Sequence, residues 1–288
     1  MQADPTPRAL VLVHGAWHAA WTYERVIPPL AARGLRVVAR DLPGHGLNAR
    51  YPASYFERPI DAEGFATEVS PLAGVTLDTY ADSVVASIDR LRERGIDRVT
   101  LVGHSMGGVV LTAVGERVPE RIAQLVYLTA FMPAHQVPAV AYIGAPENEG
   151  EMVGPQLVAD PQRVGALRID HRSGDPAYRS RTEEAFFGDL DAADRLACAN
   201  LLTPDVPAQP MATPIAITRE RWGAVPRHYV RCLRDRAIRP ALQDRFIAEA
   251  DAFTPANRTV VHTLDSSHSP FFSQPDALAE LLARIATG

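Results

Sequence analysis

Residues 98–108 read RVTLVGHSMGG and set Ser105 between Gly103 and Gly107. A serine hydroxyl is a weak nucleophile unless its surroundings activate it. Here a β-branched run precedes it and a helix start follows, the strand–turn–helix setting in which G-x-S-x-G carries a nucleophile. So tight a turn leaves no room for side chains at 103 and 107. It strains Ser105 and aims its hydroxyl out above the sheet. The opening of the following helix turns the Met106 N–H toward the same spot, where its partial positive charge stabilises an oxyanion. A bare G-x-S-x-G also arises by chance as an ordinary turn. The strand before it and the extra Gly108 favour the catalytic reading.

Upstream, His14-Gly15-Ala16-Trp17-His18 closes another apolar run. The Ala16 N–H is the candidate second oxyanion donor, from the loop after the first strand. Gly15 lets the backbone approach closely. His14 reads as a structural hydrogen-bonding residue rather than a base. Trp17 and His18 either line a pocket or pack the loop, and both readings stay open.

A serine nucleophile needs a base, and the chain has 9 histidines. On a strand–turn–helix serine the acid follows along the chain, and the base comes after the last strand. His268, in LDSSHSPFFSQP, sits there. His262 competes but lies inside the strand pattern, and His104 reads as packing on the opposite side of the turn. Asp235, in HYVRCLRDRAI, follows the preceding strand and would fix the His268 tautomer. Asp265 is the rival, three residues before the base, where a carboxylate more often orders its own loop. Asp41 reads as structural.

The elements that must hold these residues are legible as short apolar runs: 9–14, 36–40, 98–102, 123–128, 228–232 and 259–262. Such runs bounded by turn residues read as buried parallel strands. Between them, Leu77, Ala81, Val84, Val85, Ile88 and Leu91 recur at helical spacing, with Gly95 as the stop. Leu278, Leu281, Leu282 and Ile285 form one face of a last helix that opens at Pro275. The alternation predicts an α/β fold around a mostly parallel sheet. Two stretches break it. Residues 47–74 are polar and carry Tyr51, Tyr55 and Phe56. Residues 133–225 hold short helical patterns such as 181–202. The expected division is a core of 1–132 and 226–288 with a lid inserted at 133–225.

Composition removes other chemistries. All 29 basic residues are arginine, so Schiff-base enzymes, pyridoxal-phosphate anchoring and P-loops are excluded. A net charge of −5 argues against a nucleic-acid partner. Cys198 and Cys232 make neither a disulfide framework nor a metal site and read as buried apolar residues. The start, MQADPTPR, has no apolar leader, and no run approaches membrane-spanning length. A soluble, cytoplasmic protein is expected, with no metal or cofactor; a homodimer stays open.

The chain resembles the α/β-hydrolases, and within them the small-esterase branch of plant methylesterases, hydroxynitrile lyases and bacterial pyrethroid hydrolases. The stretches that carry the likeness are VLVHGAWHAAW, VVARDLPGHG, LVGHSMGG, YLTAFMP, FFGDLDAADRLACANL, RHYVRCLRDRAI and SSHSPFFSQPDAL. The resemblance implies a six-stranded sheet with a helical lid, a triad of Ser105, Asp235 and His268, and an oxyanion hole of the Ala16 and Met106 amides. It also marks two departures from the lyases, which carry Thr where this chain has Gly15 and Lys where it has Ser269. That lysine supports cyanide chemistry, so its loss favours ester hydrolysis. The 47–74 stretch is longer than in the plant relatives and is expected at the pocket rim.

The expectation is thus a cofactor-free serine carboxylesterase acting on a small to medium apolar ester. Phe131, Tyr142 and Phe187, with Trp17 and His18, are its candidate substrate-binding residues. Aromatic side chains of a lid serve equally as packing. The rivals are a lyase-like, lactone-opening or biosynthetic reaction at the same triad, and a non-enzymatic small-molecule receptor.

Overall fold

In the computed structural model, which describes residues 8–288, the apolar runs are strands, the inner ones largely buried and the two at the sheet edges partly exposed. They are β1 (Ala9–Val13), β2 (Arg36–Ala39), β3 (Val99–Ser105) and β4 (Ile122–Ala130), then, after an interruption that holds β5 (Ala166–Arg168) and β6 (Asp205–Pro207), β7 (Arg227–Cys232) and β8 (Val260–Leu264). Every residue of β1 and β3 is buried. The main sheet has 6 strands in the order β2-β1-β3-β4-β7-β8. All its neighbours run parallel. The chain leaves β1 toward β2 and then crosses back to β3 on the other side. A reversal of this kind opens a crevice beyond the carboxyl ends of the two central strands. Gly15 and Ala16 follow β1 there, and Ser105 ends β3.

The longer helices are α1 (Leu77–Arg92), α2 (Gly107–Arg117), α3 (Pro176–Phe187), α4 (Ala192–Ala199), α5 (Pro240–Phe253) and α6 (Pro275–Thr287). In α1 the predicted stripe is buried except for the partly exposed Val85, and Tyr80 joins it. Each large side chain so covered contributes roughly 1.5–3 kcal/mol. Thr76 caps α1 by accepting the Thr79 N–H at 3.1 Å, and Asp78 at its start and Arg90 and Arg92 at its end suit the helix dipole. The central helix α2 is buried from Gly107 to Gly115. None of the described helices is long and apolar enough to cross a membrane. The polar start, residues 1–7, lies outside the described residues.

Between β4 and β7 the chain leaves the sheet. This insertion contains α3, α4 and an antiparallel ribbon of β5 and β6. The helical pattern over 181–202 proves to be two helices, because the chain breaks after Phe187 and Asp191 starts a new cap by accepting the Asp194 N–H at 2.9 Å. None of residues 47–74 lines the cavity beside Ser105. They pack against the insertion instead. Arg168 of β5, fully buried, forks onto Asp205 of β6 at 2.6 and 2.7 Å. Its remaining nitrogen donates to the carbonyls of Phe65 and Glu68. The Ser70 N–H adds a bond to the Val164 carbonyl at 2.8 Å.

Candidate active site

The elbow follows from close packing. Ser105 has φ of 53°, a left-handed conformation rare outside glycine. A Cβ on Gly107 would lie 2.8 Å from the carbonyl oxygens of Val13 and His14. A Cβ on Gly15 would lie 2.8 Å from the Ser105 Cβ and 2.7 Å from His104 Nδ1. The two loops therefore touch backbone to side chain, and only glycine fits at either contact. His14 ties the loop after β1 to the segment after β2: its Nδ1–H donates to the Gly15 carbonyl at 2.9 Å and its Nε2 accepts the Leu42 N–H at 3.0 Å. Burial lowers its pKa to about 4, against the opposing pull of Gly15 and Asp41, so it is neutral and structural.

His268 is buried, and its Nδ1–H donates to Asp235 Oδ2 at 2.7 Å. That bond fixes the tautomer and leaves Nε2 as the basic nitrogen. The Asp235 carboxylate is fully buried. Its Oδ1 accepts the Ala237 and Ile238 amides at 2.7 and 2.9 Å, and its Oδ2 also accepts the Thr129 hydroxyl. The rival Asp265 is an exposed partner of Arg234 at 3.0 Å. His262 faces His228 across β7 and β8, with their ring nitrogens 3.0 Å apart. His104 does more than pack. Its Nε2–H donates to the His268 carbonyl at 2.9 Å, and the two rings lie 4.5 Å apart. The residue before Ser105 thus latches the loop that carries His268. Among the described residues Ser105 Oγ has no hydrogen-bond partner; in unliganded hydrolases its bond to the base commonly tightens only with substrate.

The insertion reaches into this machinery at two points. Trp17, strained at φ 59°, donates its indole N–H to the Leu167 carbonyl at 3.1 Å and accepts the Thr203 N–H at 3.0 Å. The loop that carries the Ala16 amide is therefore held from the insertion. Asp189, in the break between α3 and α4, accepts the Ser267 N–H at 2.9 Å and the Ser267 hydroxyl. Burial pushes its carboxyl up, but bonds from Ser267, Ser273 and Ser266 outweigh this and hold it below the usual range. Asp189 and Thr129 both lie in stretches quoted above, FFGDLDAADRL and YLTAFMP, yet nothing in their spacing signals these contacts.

Ala16, Trp17, Ser105, Met106 and Phe131 share one cavity. Met106 caps α2, so its N–H lies at the positive end of the helix. The cavity holds about 560 Å³ of empty space, part of it open to solvent. The other candidate binding residues lie behind its wall. His18 donates from Nδ1 to the Ala16 carbonyl at 2.7 Å, with its ring among Trp21, Phe186, Phe187 and Phe271. Burial lowers its pKa to about 3. Phe187 packs against His18 and Phe272. Tyr142 donates to Glu249 at 2.6 Å, accepts the Ala134 N–H at 3.1 Å and packs on Phe246. The wall is built instead by Ile143, Val153, Leu157, Leu167, Phe186 and Met211 of the insertion. Its polar members turn inward: Asn148 bonds to the Ile143 carbonyl and the Arg239 amide, and Glu151 to the Val153 and Gly154 amides.

The chain is similar to known proteins over nearly its whole length. The chain is 29% identical over 279 residues to a pyrethroid hydrolase of Sphingobium wenxiniae, covering 96% of this chain and 87% of that one. It is 28% identical over 301 residues to methylesterase 3 of Arabidopsis thaliana, covering 99% and 98%. A crystal structure of a pyrethroid hydrolase matches with a TM-score of 0.77 at 26% identity over 98% of both chains. Polyneuridine aldehyde esterase shares the fold with a TM-score of 0.73 at 23% identity, covering 97% and 99%. Residues 10–281 match the alpha/beta hydrolase family, to which the chain therefore belongs, as an esterase among its enzymes.

Proposed function

We propose that the protein is a serine carboxylesterase that hydrolyses small to medium, neutral, apolar esters through an acyl-enzyme. The observation that carries this reading is the buried 2.7 Å bond from His268 to Asp235, in a loop latched to the residue before Ser105. Ser105 Oγ attacks the ester carbonyl while His268 Nε2 takes its proton. The Ala16 and Met106 amides receive the oxyanion, and a preorganised donor of this kind typically contributes about 10²–10³ in turnover. His268 then protonates the leaving alcohol and activates the water that frees the acyl group. The substrate class follows from the wall, whose polar side chains are already bonded to backbone groups. An anionic acyl group would lose its hydration there without gaining a partner, and would face the Glu151 carboxylate.

The lyase reading loses support from the same geometry. A threonine at position 15 has no space against Ser105 and His104. The experiment is p-nitrophenyl ester hydrolysis by wild type and Ser105→Ala. Loss of at least about 10³-fold in kcat, with fluorophosphonate labelling of wild type alone, is expected. Ester turnover undiminished in Ser105→Ala sinks the mechanism. Ligand binding by wild type without labelling makes the protein a receptor instead.

A further inference from the structure

Strands β3 and β4 change register at the elbow. His104 pairs with Leu128 and Ser105 with Ala130, so Thr129 is an extra residue without a partner on β3. Such a bulge bends the strand and re-aims a side chain. Thr129 takes φ of 36°, a region that a β-branched residue enters only at a cost. Conformations of this kind persist where the surroundings over-determine them. Here the side chain is fully buried and its hydroxyl donates to Asp235 Oδ2, the same oxygen that receives His268 Nδ1–H. Charge-assisted bonds to a buried carboxylate are among the stronger ones. The other oxygen, Oδ1, is held by two backbone amides. Thr129 is thus the side chain that sets how much of the charge on Oδ2 is left for the imidazole.

We propose that Thr129 is a positioning residue for the reaction at Ser105. The bulge aims its hydroxyl at Asp235, which fixes the carboxylate plane against the imidazole and keeps the carboxylate a weak base. This inference rests on the triad reading above. A carboxylate that lost the hydroxyl would hold the imidazolium more tightly. His268 would keep its proton to higher pH, and the acid limb of kcat/KM would move upward. The neighbouring titratable groups do not blur that limb. Burial keeps His104 and His18 beside His268 neutral, and it keeps Tyr229 and Cys232 beside Asp235 protonated. Asp189, bonded to the Ser267 backbone, is ionised throughout and paired with Arg234.

The test is kcat and KM for a p-nitrophenyl ester across the acid limb, for wild type, Thr129→Val, Thr129→Ser and Ser105→Ala. Valine keeps the shape and branching without the hydroxyl. It should lower kcat about tenfold, leave KM within about twofold and raise the acid limb by roughly half a unit. Serine should recover most of the rate and of the limb. Wild-type rate and limb in Thr129→Val overturn the proposal, as does a Thr129→Ser as impaired as the valine variant. If valine does not fold, Thr129→Ala carries the same comparison with serine. A fully active Ser105→Ala removes the triad reading and this proposal with it, whereas an inactive Ser105→Ala beside an unimpaired Thr129→Val removes the proposal alone.

Discussion

Gly15 and Ser105 are ninety residues apart in sequence, yet a side chain on one would strike the other. Gly15→Thr must displace either the nucleophile or the loop that offers the Ala16 amide. Overpacking of this kind costs about 1–3 kcal/mol. The expected outcome is a lower melting temperature and ester turnover reduced by more than about tenfold. Assays on esters and on a cyanohydrin would check it, and a stable Gly15→Thr with undiminished esterase activity would show that the loops can part. At this scale chain order pointed to Ser105, His268 and Asp235 over the rivals His262 and Asp265, and the structure brings His268 and Asp235 together while both rivals pair elsewhere. The binding residues were not legible in this way. An aromatic side chain carries the same signal whether it faces a cavity or fills a core, so Trp17 and Phe131 reached the wall while His18, Tyr142 and Phe187 packed behind it.

The insertion is joined to its neighbours by buried polar groups. Arg168 ties β5 to β6 and both to the 62–68 region. Removing one partner of a buried pair leaves the other charge uncompensated. Arg168→Ala should therefore cost about 3–5 kcal/mol, read from denaturant unfolding. A loss below about 1 kcal/mol would show that water or a neighbour takes over from the guanidinium. The six main strands were readable as short apolar runs between turn residues, and the helices α1 and α6 from the apolar stripe each buries. The anchors of the insertion were not. Arg168, Asp205 and Asp189 are ordinary charged residues in sequence, and their meaning comes from contacts more than thirty residues away. The break between α3 and α4 escaped for a related reason, because an apolar spacing continues across residues that the chain uses to turn.

Across the whole molecule, buried neutral histidines set the response to acid. Burial lowers His14 to about 4 and His18 and His171 to about 3, and it holds His45 and His104 well below the ordinary value. Each binds its proton more readily in the unfolded chain, whose histidines titrate near about 6.5. Stability is then complete above that pH and falls as pH drops toward the folded values, by roughly 1.4 kcal/mol per unit for each group. Several such groups together exhaust a typical stability of about 5–15 kcal/mol, so unfolding near about pH 5 is expected. Denaturant midpoints measured from neutral to acid pH check this; a midpoint unchanged down to pH 5 would contradict it. The histidine count was plain in the composition, but their burial depends on the aromatic packing around the two loops.

The order of the segments along the chain also governs what a ribosome releases. Ser105 is made early, on β3, while Asp235 follows β7 and His268 follows β8, the edge strand that completes the sheet. A product of interrupted translation that ends before residue 268 has a serine on its elbow and no base to activate it. A product that ends before Val260 also lacks β8 and leaves the hydrogen-bonding edge of β7 uncovered, a template for association with other chains. Copies that lack His268 are therefore expected to be hydrolytically silent, however early Ser105 is made.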